Sequence, residues 1–218
     1  MTAARQVTVE AVCTGRAAPI ETKSGRSGID KRARDGRVAV HRLGLEGDEI
    51  VDTDNHGGVD QAVYCYCRSD YEWWEAELGG ALPAGRFGEN LTLAGLANAD
   101  VAVGDRFGCR GLELEVTSPR IPCATFAAHM ADSQFVSRFF RANRTGFYCR
   151  VIGEGAIAAG DRFDFVPFDG PRVPVAELVE RHGYRKLDAA TVARFRAAPI
   201  HVGLAALLAE RYPTGDLA

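Results

Sequence analysis

Residues 103–117 read Val-Gly-Asp-Arg-Phe-Gly-Cys-Arg-Gly-Leu-Glu-Leu-Glu-Val-Thr, and they set the pattern for most of the chain. Two short strand-like runs, Arg106–Cys109 and Leu112–Thr117, are separated by a glycine turn, and a Gly-Asp turn precedes them. Nearly the same start of a hairpin returns at Ala159–Phe163. Two similar short hairpins are expected in a protein built around a β-barrel.

The same pattern extends in both directions from this stretch. Turns that contain glycine or proline separate six further β-rich runs, which are Gln6–Cys13, Arg37–Leu43, Gln61–Cys67, Leu91–Leu93, Phe147–Ile152 and Arg162–Val166. Many short strands at this spacing predict a closed barrel or a sandwich. Two helices are predicted as insertions, one capped by Ser69 and running through Leu78, the other at Asp132–Ala142.

The composition changes after Pro167. Residues 168–174 form a linker rich in proline and glycine, and three short helices are predicted beyond it, at Val175–Arg181, Asp188–Ala197 and His201–Arg211. We therefore predict a mainly β fold, with a β-barrel and inserted helices in residues 1–168 and a small C-terminal three-helix module in residues 169–218. Within this module His201 is the one candidate site residue, and the pattern places it at a helix start.

Charge and cysteine usage restrict the class of protein. The 218 residues include 26 Lys and Arg and 29 Asp and Glu, which gives a net charge of −3 and argues against a general nucleic-acid binder. The sequence contains neither a membrane-length apolar run nor the apolar core of a signal peptide, so we expect no membrane association. Six cysteines without CxxC or zinc-finger spacing indicate a reduced, cytoplasmic protein.

Four clusters carry residue types that suit ligand chemistry. The first lies in the loop Thr22–Gly28 and contains Lys23, Ser24 and Arg26. Small residues allow backbone N–H groups to approach a ligand, and the basic side chains supply charge, so this loop could hold a phosphate. The alternative is a flexible basic loop on the surface.

The second and third clusters are built around glycine. His56, Gly57 and Gly58 suit close approach of the backbone to a ligand, and the alternative is a polar turn before the next strand. The third cluster precedes the strand at Leu91 and consists of Arg86, Phe87, Gly88, Glu89 and Asn90. Its alternative is a glycine-rich connection with a buried Glu-Asn pair.

The fourth cluster is Ser118–Thr125, where two prolines stiffen the exit from a strand. Cys123 then opens a short helical run, and the helix start together with Arg120 would lower the pKa of its thiol. The alternative is a buried cysteine that fills space. A Cys-His hydrolase is a further possibility from the residues alone, but no local signature selects among the candidate histidines, which are His56, His129 and His201.

In their order along the chain, these motifs resemble the MOSC domain family, which is named after the C-terminal domain of molybdenum cofactor sulfurases. The resemblance runs from about residue 7 to the end and is greatest to the small stand-alone bacterial type, called YiiM-like, with a C-terminal three-helix extension. The motifs that carry it are Lys23-Ser24, Gly44–Asp48, His56–Asp60, Arg86–Leu91, Gly104-Asp105 and Pro119–Cys123.

The resemblance implies a MOSC-type β-barrel and a molybdenum cofactor, in which molybdenum is held by molybdopterin. It implies that Cys123 ligates molybdenum or carries sulfur, and that Lys23 and Ser24 lie by the pterin phosphate. The remaining residues of the four clusters complete the expected cofactor site, namely Arg26, His56, Gly57, Gly58, Arg86, Phe87, Gly88, Glu89, Asn90 and Arg120. Val59 replaces a proline that related sequences often have, and Ala124–Phe126 replace bulkier residues, which leaves the substrate open.

We therefore expect a molybdenum-dependent oxidoreductase that reduces N-hydroxylated small molecules such as hydroxylaminopurines or amidoximes. Since the sequence contains no flavin, haem or iron–sulfur motif, a separate flavin-dependent reductase would deliver the electrons. The alternative from a second class is a sulfur-transfer or molybdenum cofactor carrier protein with a persulfide on Cys123. A third class is a binding module without catalysis.

Overall fold

The computed structural model describes residues 5–53 and 56–213. The strands of this part are β1 (Arg5–Thr14), β2 (Ala18–Pro19), β3 (Arg26–Ser27), β4 (Arg32–Ala33), β5 (Val38–His41), β6 (Gly44–Leu45), β7 (Val63–Cys67), β8 (Leu91–Ala94), β9 (Arg106–Cys109), β10 (Leu112–Pro119), β11 (Phe147–Gly153), β12 (Gly155–Ile157) and β13 (Arg162–Val166). The α-helices are α1 (Arg68–Leu78), α2 (Ala124–Met130), α3 (Phe135–Ala142), α4 (Val175–Glu180), α5 (Ala189–Arg196) and α6 (Val202–Arg211).

Seven strands close into a barrel in the order β13-β9-β10-β11-β7-β8-β1. Closure depends on β1, which pairs with β8 on one side and with β13 on the other, where Arg5 lies opposite Phe165. Within the barrel, neighbouring strands are antiparallel except β7 and β8, which are parallel and joined through α1. The barrel predicted from the sequence is confirmed.

Alternation of side chains fills the barrel. Along β13, Phe163 and Phe165 point inward while their neighbours are exposed, as expected for a strand with one buried face. The rings of Phe107 and Phe147 stack inside the barrel with their centroids 5.7 Å apart. A barrel of this size is therefore filled by side chains, and a ligand has to bind at its rim.

A second core of aromatic residues lies outside the barrel, under α1, α2 and α3. It contains Tyr66, Tyr71, Trp74, Phe87, Phe126, Phe135 and Phe139. Phe135 and Phe139 are thus packing residues. This core anchors both the turn before β8 and the segment that follows β10.

The C-terminal residues form the three predicted helices. Asp188 caps α5, since its carboxylate accepts the Thr191 N–H at 2.7 Å. At the start of α6, the Nδ1 atom of His201 accepts the Gly203 N–H at 2.9 Å. Both helix starts therefore follow from the sequence.

The helical module packs closely against the barrel. Val103 of the barrel is buried within the core of the module. The Asp60 carboxylate accepts the Val202 N–H at 2.7 Å and lies 3.0 Å from Arg150 Nε, so it joins α6 to the barrel. The linker thus connects two parts that are held together by buried apolar and polar contacts.

Among the predicted boundaries that are wrong, three have a clear local cause. Ser69 does not cap α1, because the helix begins at Arg68 and the Ser69 hydroxyl donates instead to the Leu96 carbonyl at 3.2 Å. Asp132 stands in a turn, where its carboxylate accepts the Gln134 N–H, and α3 begins only at Phe135. The run Arg37–Leu43 contains a strand of four residues, Val38–His41, because a turn follows it. Over residues 5–53 and 56–213, no helix combines the length and apolar character needed to span a bilayer.

Candidate functional site

An open cleft with an empty volume of about 720 Å³ lies at one end of the barrel. It is located where β10 ends and where β7, β8 and β11 begin. Its walls include Tyr64 of β7 and Tyr148 of β11, which are cross-strand partners, together with residues from the segments 24–31, 48–52 and 56–57. The cleft thus collects segments that are far apart in the sequence.

The structure brings eight of the predicted site residues to this cleft, which are Ser24, Arg26, His56, Gly57, Gly88, Asn90, Arg120 and Cys123. Five others do not line it, namely Lys23, Gly58, Arg86, Phe87 and Glu89. Lys23 is exposed on the loop beside the cleft. The residues that meet at the cleft come from all four clusters of the sequence.

Glu89 supports the cleft from behind. Its side chain is fully buried and accepts hydrogen bonds from the Gly85 N–H at 2.7 Å and the Thr92 hydroxyl at 2.9 Å. The hydroxyl of Tyr71 donates to the same carboxylate. Phe87 is fully buried in the aromatic core. Glu89 and Phe87 therefore lie where the alternative from the sequence put them, in a buried connection that leads into a strand.

Cys123 stands at the point where the chain leaves β10 and enters α2. Its Sγ atom lies 3.8 Å from Nε2 of His56, and the side chain is half-buried in the wall of the cleft. Burial raises the pKa of this thiol, but the hydrogen bond with His56, the charge of Arg120 and the backbone N–H of Phe126 outweigh it and lower the pKa to about 7. A substantial part of Cys123 is therefore thiolate at neutral pH.

Three other cysteines lie in environments that raise the pKa of the thiol. All six are free thiols. Burial is the main cause that raises the pKa of Cys13 to about 12, and burial raises the pKa of Cys65 and Cys67 well above the ordinary value. Cys65 and Cys67 face the barrel interior from β7. Cys123 differs from these three because it combines a partner histidine with access to the cleft.

Arg120 is a buried cation with an incomplete set of partners. Its guanidinium lies 3.9 Å from the centre of the Phe126 ring, and the residue is only 5% exposed. Its Nη1 atom is buried without a hydrogen-bond partner. Burying a charge without a partner is unfavourable, so this arginine favours a ligand that brings negative charge or an acceptor.

A polar network forms another part of the wall. Lys31 and Asp48 form a buried ion pair, and the Asn90 side-chain amide donates to the Asp48 carboxylate at 2.9 Å. The Asn90 oxygen accepts the Tyr64 N–H at 3.0 Å. Because its hydrogen bonds reach both β7 and the loop that carries Asp48, Asn90 fixes the position of the cleft walls.

The basic loop is held close to its neighbours by glycine. A Cβ atom at Gly28 would lie 1.9 Å from the Glu49 carbonyl oxygen, so only glycine allows these two backbones to approach so closely. The Arg26 guanidinium donates to the Ala17 carbonyl at 2.6 Å. Ser24 and Arg26 are thereby placed along one edge of the cleft.

Sequence reasoning missed Gln61, Tyr64 and Tyr148, which also line the cleft. These residues lie in or beside runs that read as strands. A signal for Tyr64 exists in the alternation of β7, where Cys65 packs inside the barrel and Tyr64 packs outside it. The sequence offers no comparable signal that this outer face meets a ligand cleft.

A family model for the MOSC domain matches residues 52–164, which span β7 to β13 and include Cys123. The chain belongs to the MOSC domain family. MOSC domains are associated, as a family, with binding of the molybdenum cofactor.

Relatives of this MOSC protein include the uncharacterized protein YflK of Bacillus subtilis strain 168, which is 35% identical over 169 residues covering 77% of this chain and 76% of YflK. Protein YiiM of Escherichia coli K12 is 33% identical over 143 residues, which are 64% of each chain. A protein of Gibberella moniliformis named reductase is 31% identical over 156 residues, which are 70% of this chain but only 28% of that protein.

Solved structures agree with the fold of this MOSC protein. YiiM from Geobacillus stearothermophilus superimposes with a TM-score of 0.78 at 25% identity, over 97% of this chain and all of that one. YiiM from Escherichia coli gives a TM-score of 0.74 at 25% identity over 98% of this chain. Because the superposition extends over nearly the whole chain, the stand-alone YiiM-like architecture with C-terminal helices is confirmed.

Proposed function

We propose that this MOSC protein is a molybdenum cofactor-dependent reductase of N-hydroxylated small molecules. The observation that carries the proposal is the pairing, in one open cleft, of Cys123 with Arg120. The pKa of the Cys123 thiol is lowered to about 7, and Arg120 is a buried cation with an unpaired nitrogen. Such a cleft suits an anionic ligand that carries a soft metal.

The residues of the cleft fit the molybdenum cofactor. A thiolate is the protein ligand that soft or polarisable metals prefer, so Cys123 would hold the metal. The unpaired Nη1 of Arg120 would donate to the anionic or carbonyl oxygens of the pterin, and Ser24 and Arg26 would face its phosphate from the edge of the cleft. When bound, the group supplies two-electron redox chemistry.

The proposed reaction breaks an N–O bond. In balanced form, R–NHOH, two electrons and two protons give R–NH2 and water. The electrons would come from a separate flavin-dependent reductase, which is the partner that we propose for this protein. The chain itself binds and orients the substrate beside Cys123. An open cleft allows a small molecule to reach that position.

The naming of one relative as a reductase supports an oxidoreductase, although its match covers a minor part of that protein. A second candidate, a sulfur or cofactor carrier, is favoured by the contact between Cys123 and His56. This contact lowers the thiol pKa without any metal, so the thiolate could accept a sulfane sulfur from a persulfide donor. Both candidates use the same thiol, so loss of function in a Cys123 variant does not separate them.

Turnover separates the two candidates. The protein is purified from a host that makes the cofactor, its molybdenum is measured, and N-hydroxylated compounds are added with a chemical reductant. We expect many turnovers per molybdenum in the wild type and in Cys109→Ala, which changes another half-buried thiol, but none in Cys123→Ala. If the loaded protein gives no turnover with several compounds while the cofactor-free protein accepts sulfane sulfur on Cys123, the carrier function replaces the reductase.

A further inference from the structure

A second cavity, which we call the module cavity, lies between the barrel and the C-terminal helices and has an empty volume of about 590 Å³. The barrel contributes Ser118, Pro119 and Ile121, together with Gln61 and Tyr148. The helical module contributes His182, Tyr184, His201 and Leu204. The module therefore forms half of a cavity that the barrel alone would leave open.

The module cavity adjoins the cleft that contains Cys123. Gln61 and Tyr148 line both spaces, so their side chains form a shared wall. The loop after β10 also serves both, because Ile121 lines the module cavity and Cys123, two residues further on, lines the cleft. The module cavity and the cleft are therefore adjacent, with Gln61 and Tyr148 between them.

Hydrogen-bonding capacity at the shared wall is not fully used. The Gln61 carboxamide lies 3.4 Å from Nε2 of His201, and its other polar atom is buried and has no partner. Leaving a buried polar atom unpaired costs about 1–3 kcal/mol. A ligand that forms a hydrogen bond with this atom would remove that cost.

His201, which faces Gln61, is held in a fixed position by two hydrogen bonds. Its backbone N–H donates to the Thr117 carbonyl of β10 at 3.1 Å, and its Nδ1 accepts the Gly203 N–H at 2.9 Å. With Nδ1 occupied as an acceptor, the neutral ring carries its proton on Nε2, the atom that faces Gln61. The position of this donor is thus fixed by the docking of α6 on the barrel.

The lining of the module cavity selects the chemistry of its occupant. Three rings face it, from Tyr148, His182 and Tyr184, and Pro119, Ile121 and Leu204 add apolar surface. None of the described residues that line it is Lys, Arg, Asp or Glu. A flat, uncharged aromatic group would stack and bury apolar area here, whereas a carboxylate would lose its hydration without gaining a counter-charge.

We propose that the module cavity binds the uncharged aromatic part of the substrate, so that the C-terminal helices determine which compounds present their reactive group to Cys123. The assignment of that reactive group rests on the proposed function. The binding of an aromatic group in the cavity does not require turnover.

The test uses full-length protein, with and without cofactor, and three amidoximes as probes. Benzamidoxime carries an uncharged aromatic ring, acetamidoxime lacks the ring, and 4-carboxybenzamidoxime adds a negative charge. Dissociation constants are measured by NMR titration, which reaches millimolar affinities. We expect benzamidoxime to bind about tenfold more tightly than either of the others, which corresponds to about 1.4 kcal/mol.

Two variants address the cavity itself. His182→Trp enlarges an exposed ring at the rim, and Arg185→Trp is its control, because Arg185 is also exposed and does not line the cavity. His201→Asn keeps an N-cap acceptor for α6 but shortens the side chain that reaches Gln61. We expect the His182 and His201 variants to raise the dissociation constant of benzamidoxime about tenfold, and the Arg185 variant to leave it unchanged. Bound molybdenum should be the same in all.

The outcomes are distinguishable from those of the proposed function. If benzamidoxime binds the wild type in this pattern but the loaded protein never reduces it, the reductase fails and the module cavity stands. If reduction proceeds while neither variant changes the dissociation constant or KM of benzamidoxime, the module cavity is not the binding site. Equal affinity for the three probes, or no binding of benzamidoxime, also overturns the inference.

Discussion

Changing His56 to alanine removes the imidazole that lies 3.8 Å from Cys123 Sγ and should raise the pH at which this thiol ionises. In the wild type, burial acts to raise the pKa, and His56, Arg120 and the Phe126 N–H together overcome it. Without His56 the raising effect of burial remains, while the hydrogen bond and the charge that His56 contributes are lost. The pKa of Cys123 should therefore lie above 7 in this variant.

The size of the wild-type effect can be worked out from the pKa. At pH 7 a thiol with a pKa of about 7 is half ionised, whereas the ordinary value of 9.0 gives about 1% thiolate, an about 50-fold difference. A thiolate of lower pKa is also a weaker nucleophile, by roughly 6- to 10-fold over two pKa units. Cys123 should thus exchange with a disulfide reagent about 5- to 8-fold faster at pH 7 than an equally accessible ordinary thiol.

The assay follows the exchange of cofactor-free protein with an aromatic disulfide from pH 5 to pH 10, and Cys123→Ala supplies the background from the other thiols. The rate should rise with pH and level off above an inflection near pH 7 in the wild type. His41→Ala serves as the matched control, since His41 is an exposed histidine on β5. An inflection near pH 9 in the wild type, or an unchanged inflection in His56→Ala, would refute the reasoning.

Three further perturbations have separate outcomes. Cys123→Ala should abolish bound molybdenum, measured by elemental analysis, while the free energy of unfolding stays near the wild-type value; normal metal content would contradict this. Phe126→Ala removes a fully buried ring that contacts Arg120 and should lower the free energy of unfolding by about 3–5 kcal/mol in urea, and a loss below about 1 kcal/mol would count against the packing argument. Arg194 and Arg181 lower the pKa of the Glu177 carboxyl in the folded protein, so the stability that this ion pair contributes is present above pH 4.5 and is lost as the pH falls through the folded pKa. In Glu177→Gln, the free energy of unfolding followed by circular dichroism should depend less on pH in this acid range. An unchanged pH dependence in the variant would argue against this role of Glu177.

The strands with strong alternation were predictable from the sequence, and their order in the barrel was not. The predicted runs Arg106–Cys109 and Arg162–Val166 match β9 and β13 residue for residue. The pairing of β1 with β13 joins residues about 158 positions apart, and no local pattern indicates such a contact. The two-residue strands were also missed, since they depend on neighbours rather than on their own propensity.

At the site, residue types were easier to predict than proximity. The stiff exit from β10 and the helix start pointed to Cys123, and in the structure its thiol has a pKa lowered to about 7. The sequence offered three histidines as partners, and only the closure of the barrel brings His56 to Cys123 across 67 positions. The module cavity could not be predicted either, because it exists only where α6 docks on the barrel through Asp60, before β7, and Thr117 of β10.

The double pairing of β1 has a consequence for how the protein is made. β1 is synthesised well before its partner β13, which ends at Val166, about 150 residues later. At roughly 5–20 residues per second, the ribosome delivers that strand about 8–30 seconds after β1 has emerged. Throughout this interval β1 presents an unpaired edge, the kind of surface on which nascent chains associate wrongly. Chaperones that cover such edges during translation should therefore increase the yield of folded protein. A ligand added after synthesis should increase it less, because it acts when the interval is already over.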